Sequence, residues 1–422
     1  MVNLDHPTHP DGSKSENKTN PSFYYGYFIS LFAFIIMVVL WGVFHSFGVY
    51  FKPMISEFGW TRALTAAAFS LASFSSGIAT AFMGWLNDRF GPRIVMTLCG
   101  LLMGLGCVFM SRTQSLWQFY LAFGIMIGPA MGGSFVPPIS TVTRWFVVHR
   151  GLMTGIVASA VGVGALVVPQ ISNALLSHFG WRVSYLITGA AAMVIVVTFA
   201  QFLKNHPGRA ESNPDEKLER IPNPADFDRE SISLTQALGS NQFWLFSLTG
   251  FCYGYTLFSL TVHVVPHAAD LGILPELAAG LLSIYGGLSI VGKITFGKIL
   301  DRINSKRTMF IGFGMMAIAF AAIVFAEKTW SLFLSVGLFG FFYSACTVSQ
   351  SPMTAVLFGL KSHGSIMGVF GMSVTFGGAL GPFLTGAIYD HAESYQIAFT
   401  ICIAVSMIGM LSTAVLRQTR IQ

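Results

Sequence analysis

The sequence predicts an all-α integral membrane protein, with twelve transmembrane helices arranged as two pseudo-symmetric bundles of six. Three observations lead to this fold class. Charged residues make up only 10% of the 422 residues, hydrophobic residues make up 53%, and the mean hydropathy is +0.65. Twelve long stretches are almost free of Asp, Glu, Lys and Arg. Several residues also recur at one fixed distance along the chain, which indicates an internal repeat.

The low charge excludes whole classes of protein. Soluble domains carry roughly 25% charged residues, so a water-soluble enzyme is excluded. The net charge of +6 does not indicate nucleic-acid binding, because basic residues in membrane proteins report topology. The five cysteines lie in apolar runs without the spacing of metal ligands. We therefore expect packing roles for them, and neither a metal nor a cofactor.

Each apolar stretch can cross a bilayer, which takes about 20 residues of helix. The stretches cover residues 24–51, 63–86, 94–111, 113–143, 151–181, 183–203, 241–265, 277–300, 308–326, 329–360, 364–389 and 394–416. Only the eighth contains Lys or Arg, with Lys293 well inside it and Lys298 at its end.

The polar segments divide the chain into two halves. Residues 1–23 are predicted to be a disordered cytoplasmic tail, and they lack the pattern of a cleaved signal peptide. Residues 24–204 would form the first six-helix bundle and residues 241–417 the second. Between them, residues 205–240 are polar and rich in proline, as expected of a cytoplasmic linker that ends in a short capped helix. Residues 418–422 would be a second tail.

The distribution of basic residues predicts the orientation. With the N-terminus inside, 18 of the 24 Lys and Arg residues lie on the cytoplasmic side and five lie outside. Basic residues accumulate in cytoplasmic loops. We therefore expect a multi-pass membrane protein with both termini in the cytoplasm.

The internal repeat has an offset of 213 residues. Gly84 and Asp88 after the second stretch match Gly297 and Asp301 after the eighth. Glycine lets helices approach closely, and an aspartate near a helix end can join a breakable charge network. These loops predict a cytoplasmic gate, although the positive-inside rule alone would also place basic residues there. The candidate gating residues are Asp88, Arg89, Arg93, Asp301 and Arg302.

These motifs resemble those of a known group of transporters. Residues 84–93 read G-x-x-x-D-R-x-G-x-R, which resembles the loop signature of the major facilitator superfamily. Residues 144–155, with an aromatic pair, basic residues and then glycines, resemble the signature of its monocarboxylate porter and oxalate–formate antiporter family. Residues 180–182, Gly-Trp-Arg, fit the same group. The resemblance implies the major facilitator fold and a small organic anion as substrate.

Lys293 is the sharpest candidate for binding that anion. A charge at a helix centre costs about 2.5–3.5 kcal/mol on an insertion scale, so intramembrane ionisable residues are usually functional. The alternative is a lysine whose amine reaches toward the cytoplasm. The resembled family typically has an acidic residue and, four positions later, a carboxylate-binding arginine in this span. Here Ser289 and Lys293 hold those positions, so neither the bidentate fork nor the carboxylate is retained.

Other polar residues within the spans are candidates for the substrate cavity. His45, in the outer half of the first span, matches the position of a lysine in animal lactate transporters and can bind protons. It can equally be an ordinary hydrogen-bonded residue. Tyrosine hydroxyls can donate to a carboxylate while the rings pack on a short carbon chain. The additional candidates are Tyr120, Tyr255, Tyr285, Ser289 and Tyr343.

The predicted function is secondary active transport of small monocarboxylates, such as lactate or pyruvate, by alternating access. Proton symport is the default coupling. None of the 18 acidic residues lies deep in a span, which keeps anion exchange and uniport open. Efflux of hydrophobic compounds is a further alternative, although Lys293 would repel a cationic drug. Three other classes are disfavoured because the sequence lacks the feature that each requires. A sensor would need a signalling domain, an integral membrane enzyme a reactive cluster, and a pore a ring of charged residues. We expect no nucleic-acid partner, and the oligomeric state is open.

Overall fold

The computed structural model describes residues 24–146, 149–205, 232–326 and 328–417. The two predicted tails, 1–23 and 418–422, and most of the predicted linker lie outside these residues. Within them the chain is almost wholly helical and contains no strand. Eleven helices are long and apolar enough to cross a membrane. One of them holds two crossings, so the twelve predicted spans are present, and we number them 1 to 12.

The first half contains spans 1 to 6. Span 1 is Tyr25–His45, continued after Ser46 by Phe47–Phe58. Spans 2 and 3 are Arg62–Phe90 and Pro92–Ser111. Span 1 is longer than predicted because Lys52 and Glu57 are exposed at its end while Met54 packs inward, so the helix outlasts the apolar run.

Span 4 is broken into pieces. It consists of Leu116–Phe119, a π-helical stretch Tyr120–Ile127, and the helices Gly128–Gly132 and Val136–Trp145. Pro129 and Pro137 each remove a backbone donor, which interrupts the helical hydrogen-bond ladder.

Spans 5 and 6 form one continuous helical segment, Arg150–Ala200, that bends at Gly180. Gly180 has φ 77° and ψ 165°, a conformation that costs little only for glycine. The predicted end of span 5 was placed before Arg182, the first charge after the apolar run, but the helix already ends at Gly180. The predicted boundary was therefore about two residues late.

The second half begins with the short helix Leu234–Leu238, which a capping box between Ser233 and Gln236 starts as predicted. Spans 7 to 12 are Asn241–Asp270, Pro275–Ile303, Ser305–Val324, Thr329–Phe358, His363–Ala392 and Gln396–Val415. The all-α, twelve-span fold class predicted from the sequence is confirmed.

The buried apolar side chains form two large clusters. One runs from Tyr24 to Leu203, and the other from Ile232 to Leu416 with Val136 added. The halves meet where span 2 crosses span 11 and where span 5 crosses span 8. A Cβ on Gly297 would lie 2.5 Å from the Gly151 carbonyl oxygen, so only glycine permits this approach. The crossings bring the repeated loops of each half against the other half.

Candidate functional site

Lys293 lies in span 8 with only 2% of its surface exposed. Among the described residues no acidic side chain pairs with it, since their ion pairs join Arg144 to Asp88 and Arg182 to Glu57. A buried charge without a counter-ion carries a large desolvation cost. Lys293 is therefore a buried basic side chain for which the described residues offer no counter-ion.

A stack of tyrosine rings covers one side of Lys293. Its Nζ lies 5.6 Å from the centre of the Tyr343 ring, close enough for a cation–π contact. The Tyr285 ring stacks on Tyr343 at 5.3 Å, and the Tyr253 ring at 6.1 Å. The Tyr253 hydroxyl is held by Thr347 at 2.8 Å. This wall offers both aromatic surface and hydroxyl groups to a small ligand.

Ser289 lies one helical turn before Lys293 and is also buried. Its hydroxyl donates to the Gly286 carbonyl at 2.8 Å, within the same helix. Gly286, Ser289 and Lys293 share one face of span 8 through their spacing of three and four. A Cβ on Gly286 would meet no atom within 4 Å, so this face borders open space.

His45 lies in span 1 and is exposed. Its ring lies 5.8 Å from that of Trp41 and 6.1 Å from that of Phe44. One turn further on, a Cβ on Gly48 would also meet nothing within 4 Å. His45 and Gly48 therefore lie on a stretch of span 1 that borders open space.

Two of the predicted lining residues lie elsewhere. The Tyr120 hydroxyl donates to the Leu64 carbonyl at 2.8 Å, which ties span 4 to span 2. Tyr255 is buried where the backbones of spans 7 and 11 meet, beside Gly381. The structure groups Tyr285, Ser289 and Tyr343 with Lys293, and neither Tyr120 nor Tyr255 joins that stack.

Tyr253 is the aromatic residue that sequence reasoning missed. It differs from the predicted Tyr255 by two residues, which on a helix turns the side chain about 200° to another face. Which face of span 7 turns toward span 8 is decided by how the helices pack. The apolar pattern around span 7 did not reveal it, since apolar residues surround both tyrosines.

Asp88, at the end of span 2, reaches across to the first turn of span 11. Its carboxylate accepts from the backbone N–H of Gly364 at 2.9 Å and of Ser365 at 2.6 Å, and from the Ser365 hydroxyl at 2.8 Å. It also pairs with Arg144 of span 4 at 2.7 Å. A carboxylate at a helix N-terminus is favoured by the helix dipole. We call this contact the Asp88 clasp.

Asp301, at the end of span 8, makes the equivalent contact with span 5. Its carboxylate accepts from the N–H of Gly151 at 2.6 Å and of Leu152 at 2.9 Å. We call this contact the Asp301 clasp. Both clasps join the two halves at the end of the molecule where Asn205 and Ile232 also lie.

The three candidate arginines do not cross between the halves in the part of the chain described here. Arg89 lies over the rings of Trp85 and Phe90 in its own helix. Arg93 donates to Gln201 at 2.7 Å within the first half. Arg302 is exposed. Only the aspartates of the predicted gating set bridge the two halves.

Further polar bridges close the same end. Ser140 bonds the His363 ring at 2.8 Å, and Thr143 bonds Ser351 at 2.6 Å. All four side chains are buried, as is Arg144. Sequence reasoning treated Arg144 only as part of a signature and did not single out the others. The signal that could have found them is the polar residues at the ends of spans 4 and 10 and at the start of span 11.

Comparison with known proteins agrees with this architecture. The model of the Major Facilitator Superfamily matches residues 24–326 and 245–420. A variant of the Escherichia coli fucose:proton symporter superposes with a TM-score of 0.73 at 15% identity, covering 93% of this chain and 100% of that one. The proton:xylose symporter bound to 6-bromo-6-deoxy-D-glucose gives 0.72 at 14% identity, with coverages of 94% and 97%. At these identities the likeness concerns the fold alone.

Similar sequences include transporters from animals and a bacterium. Monocarboxylate transporter 13 of Bos taurus is 25% identical over 393 residues, covering 91% of this chain and 88% of its own length. Monocarboxylate transporter 7 of Homo sapiens is 23% identical, with coverages of 93% and 86%. The uncharacterized MFS-type transporter YhjX of Escherichia coli is 24% identical, with coverages of 73% and 75%. The chain belongs to the major facilitator superfamily and is a transporter rather than an enzyme.

Proposed function

We propose that the protein moves a small monocarboxylate, such as lactate or pyruvate, across the membrane by alternating access. The observation that carries this proposal is Lys293, a cation buried in span 8 without an acidic partner among the described residues. A substrate carboxylate would supply the missing negative charge.

The surroundings of Lys293 favour a short organic acid over an inorganic anion. The rings of Tyr253, Tyr285 and Tyr343 offer apolar faces for a carbon chain. Lysine is a single point of charge, so it suits one carboxylate without fixing its plane. The relatives named monocarboxylate transporters support the same substrate class.

Neutralisation of Lys293 supplies a mechanism for coupling binding to movement. An empty carrier keeps an unpaired buried charge, whereas the loaded carrier holds an ion pair that crosses more readily. The Asp88 and Asp301 clasps would form one gate, opening when the opposite end closes. Proton symport is the coupling we propose, with His45 as the ionisable group beside the site.

The proposed setting is the bacterial inner membrane, with both termini in the cytoplasm and the clasps on that side. The two six-helix halves would rock as units joined by the linker. Anion exchange of the oxalate–formate type is the second candidate, because no carboxylate lies deep in a span to carry a proton. Efflux of hydrophobic compounds is less well supported, since it gives the buried lysine no role.

The test is uptake of radiolabelled L-lactate by proteoliposomes, with and without an inward proton gradient. Lys293→Ala should lose uptake. The matched control is Lys298→Ala, which removes an exposed lysine from the same helix and should retain it. Gradient-driven uptake supports symport, and uptake that requires an internal anion supports exchange. Equal uptake by Lys293→Ala and the native protein would overturn the assignment.

A further inference from the structure

Asn87, beside the Asp88 clasp, is fully buried with 0% of its surface exposed. Neither its Oδ1 nor its Nδ2 has a hydrogen-bond partner among the described residues. A Cβ on Gly364 would lie 3.1 Å from the Asn87 amide nitrogen, so the amide packs directly against span 11. The unpaired amide therefore lies on the surface where the two halves meet.

Such an amide opposes closure of the clasp. A buried polar group without a partner costs free energy that the same group in water does not. When spans 2 and 11 separate, water can reach Asn87 and satisfy both atoms. The closed arrangement is thus penalised relative to the open one by a residue that makes no bond across the interface.

The repeated half offers an internal comparison. The residue 213 positions after Asn87 is Leu300, beside the Asp301 clasp. Leu300 is buried at 6% exposure and lies against Gly151 of span 5, 2.7 Å from where a Cβ would be. An apolar residue at this place favours closure, because separation would expose it to water. Leucine and asparagine branch at the same atom, so the contrast is one of polarity more than of shape.

We propose that Asn87 is a positioning residue that offsets the strong Asp88 clasp and so sets how readily this end of the carrier opens. The inference rests on the proposed alternating-access function, but it does not depend on which acid is carried. Among the described residues, the Asp88 clasp has an ion pair and the Asp301 clasp has none. The unpaired Asn87 amide lowers the free energy needed to open the stronger clasp. The free energies of opening the two crossings therefore become more similar.

The experiment measures the distance between the halves in the full chain, in liposomes and without substrate. Spin labels are attached at Phe90→Cys and Lys361→Cys, two exposed positions on either side of the Asp88 clasp. The five native cysteines are all buried, which limits labelling to the introduced ones. Pulsed electron spin resonance then gives the populations of short and long distances.

Asn87→Leu should raise the ratio of closed to open populations by about tenfold, as expected for one unpaired buried amide. Leu300→Asn should lower it, and the exchange of both residues should return it toward the native value. Asn87→Ala, which removes the amide without filling its space, should change the ratio in the same direction as Asn87→Leu. This second variant keeps the test valid if leucine does not fit.

The native protein is expected to show both a short and a long distance. If neither Asn87 variant shifts these populations toward the short distance, the inference is overturned and the transport proposal stands. A single native distance that no variant moves would contradict the rocking movement itself, and the role of Asn87 with it. Folding of each variant is checked by gel filtration in detergent before labelling.

Discussion

Spans 2 and 8 hold equivalent places in the two halves, yet they carry different chemistry. Gly368 of span 11 packs against the Thr80 carbonyl of span 2, and Gly155 of span 5 packs against the Lys293 carbonyl of span 8. Thr80 and Lys293 are separated by the repeat offset of 213. The Thr80 hydroxyl bonds its own helix at 2.8 Å, whereas Lys293 presents a buried charge.

The clasps differ in the same way. Both aspartates accept two backbone N–H groups from the opposite half, but among the described contacts only Asp88 also holds a buried arginine and a serine hydroxyl. The backbone frame is therefore repeated, because close crossings need glycine and helix ends need acceptors. The side chains around this frame are free to differ between the halves.

The largest expected effect concerns the charge that only span 8 carries. Lys293→Met keeps the length of the side chain and removes the charge, so lactate uptake should fall to the level of empty liposomes. Lys293→Arg should retain part of it. Initial uptake rates measure both. Thr80→Val, which keeps the shape of the side chain at the matching position in span 2, is the control and should leave most activity. An equal loss in Lys293→Met and in this control would end the distinction between the halves.

Asp88→Asn should weaken its clasp more than any other single change at that end. It leaves Arg144, with a side chain only 2% exposed, buried without a counter-ion, at a cost of about 3–5 kcal/mol. The distance between labels at residues 90 and 361 should shift to the open population. Addition of Arg144→Gln should restore part of the closed population, and the absence of rescue would show that the ion pair is not what holds the clasp.

Asp301→Asn should have a smaller effect in the same direction. It removes a charge from two backbone contacts, and the described residues show no buried arginine paired with Asp301, so the cost should be about 1–2 kcal/mol. The same label pair reports it. If Asp301→Asn opens this end as far as Asp88→Asn does, then backbone capping rather than the ion pair dominates both clasps.

The glycine crossings should respond alike in the two halves. Gly84→Ala and Gly297→Ala each place a methyl group against a backbone carbonyl. This overpacking should destabilise the closed crossing by about 1–3 kcal/mol. Both should favour the open population in the same distance measurement. Gly287→Ala, in open space on span 8, is the control and should leave the distances unchanged.

The smallest expected effect separates two neighbouring tyrosines. Tyr253→Phe removes a hydroxyl from the stack beside Lys293 and should raise the KM for lactate about fivefold, as one net hydrogen bond is worth about 1 kcal/mol. Tyr255→Phe should leave KM nearly unchanged. Concentration-dependent uptake compares them, and the opposite order would restore the original choice of Tyr255.

Much of the architecture could be predicted because the lipid bilayer imposes it. Apolar length and basic loops are strong signals in a bilayer, so the twelve spans follow from composition. The repeat pointed to Asp88, Asp301 and the glycines near them. The ends of spans were less accessible, as Gly180 shows, because a backbone conformation rather than a charge stops that helix.

The sequence alone was enough to predict a helical membrane protein, since burying backbone in lipid leaves few other folds, and the repeat at an offset of 213 predicted its two related halves. It also singled out Lys293, because a lone charge in an apolar helix is visible without coordinates. Only the tertiary structure decided how each helix is rotated about its axis and which helices approach each other. The turn of span 7 brings Tyr253 beside Tyr343, and the crossing of span 2 buries Asn87 against span 11. Such contacts depend on helices distant in sequence, and local patterns do not encode their relative phase.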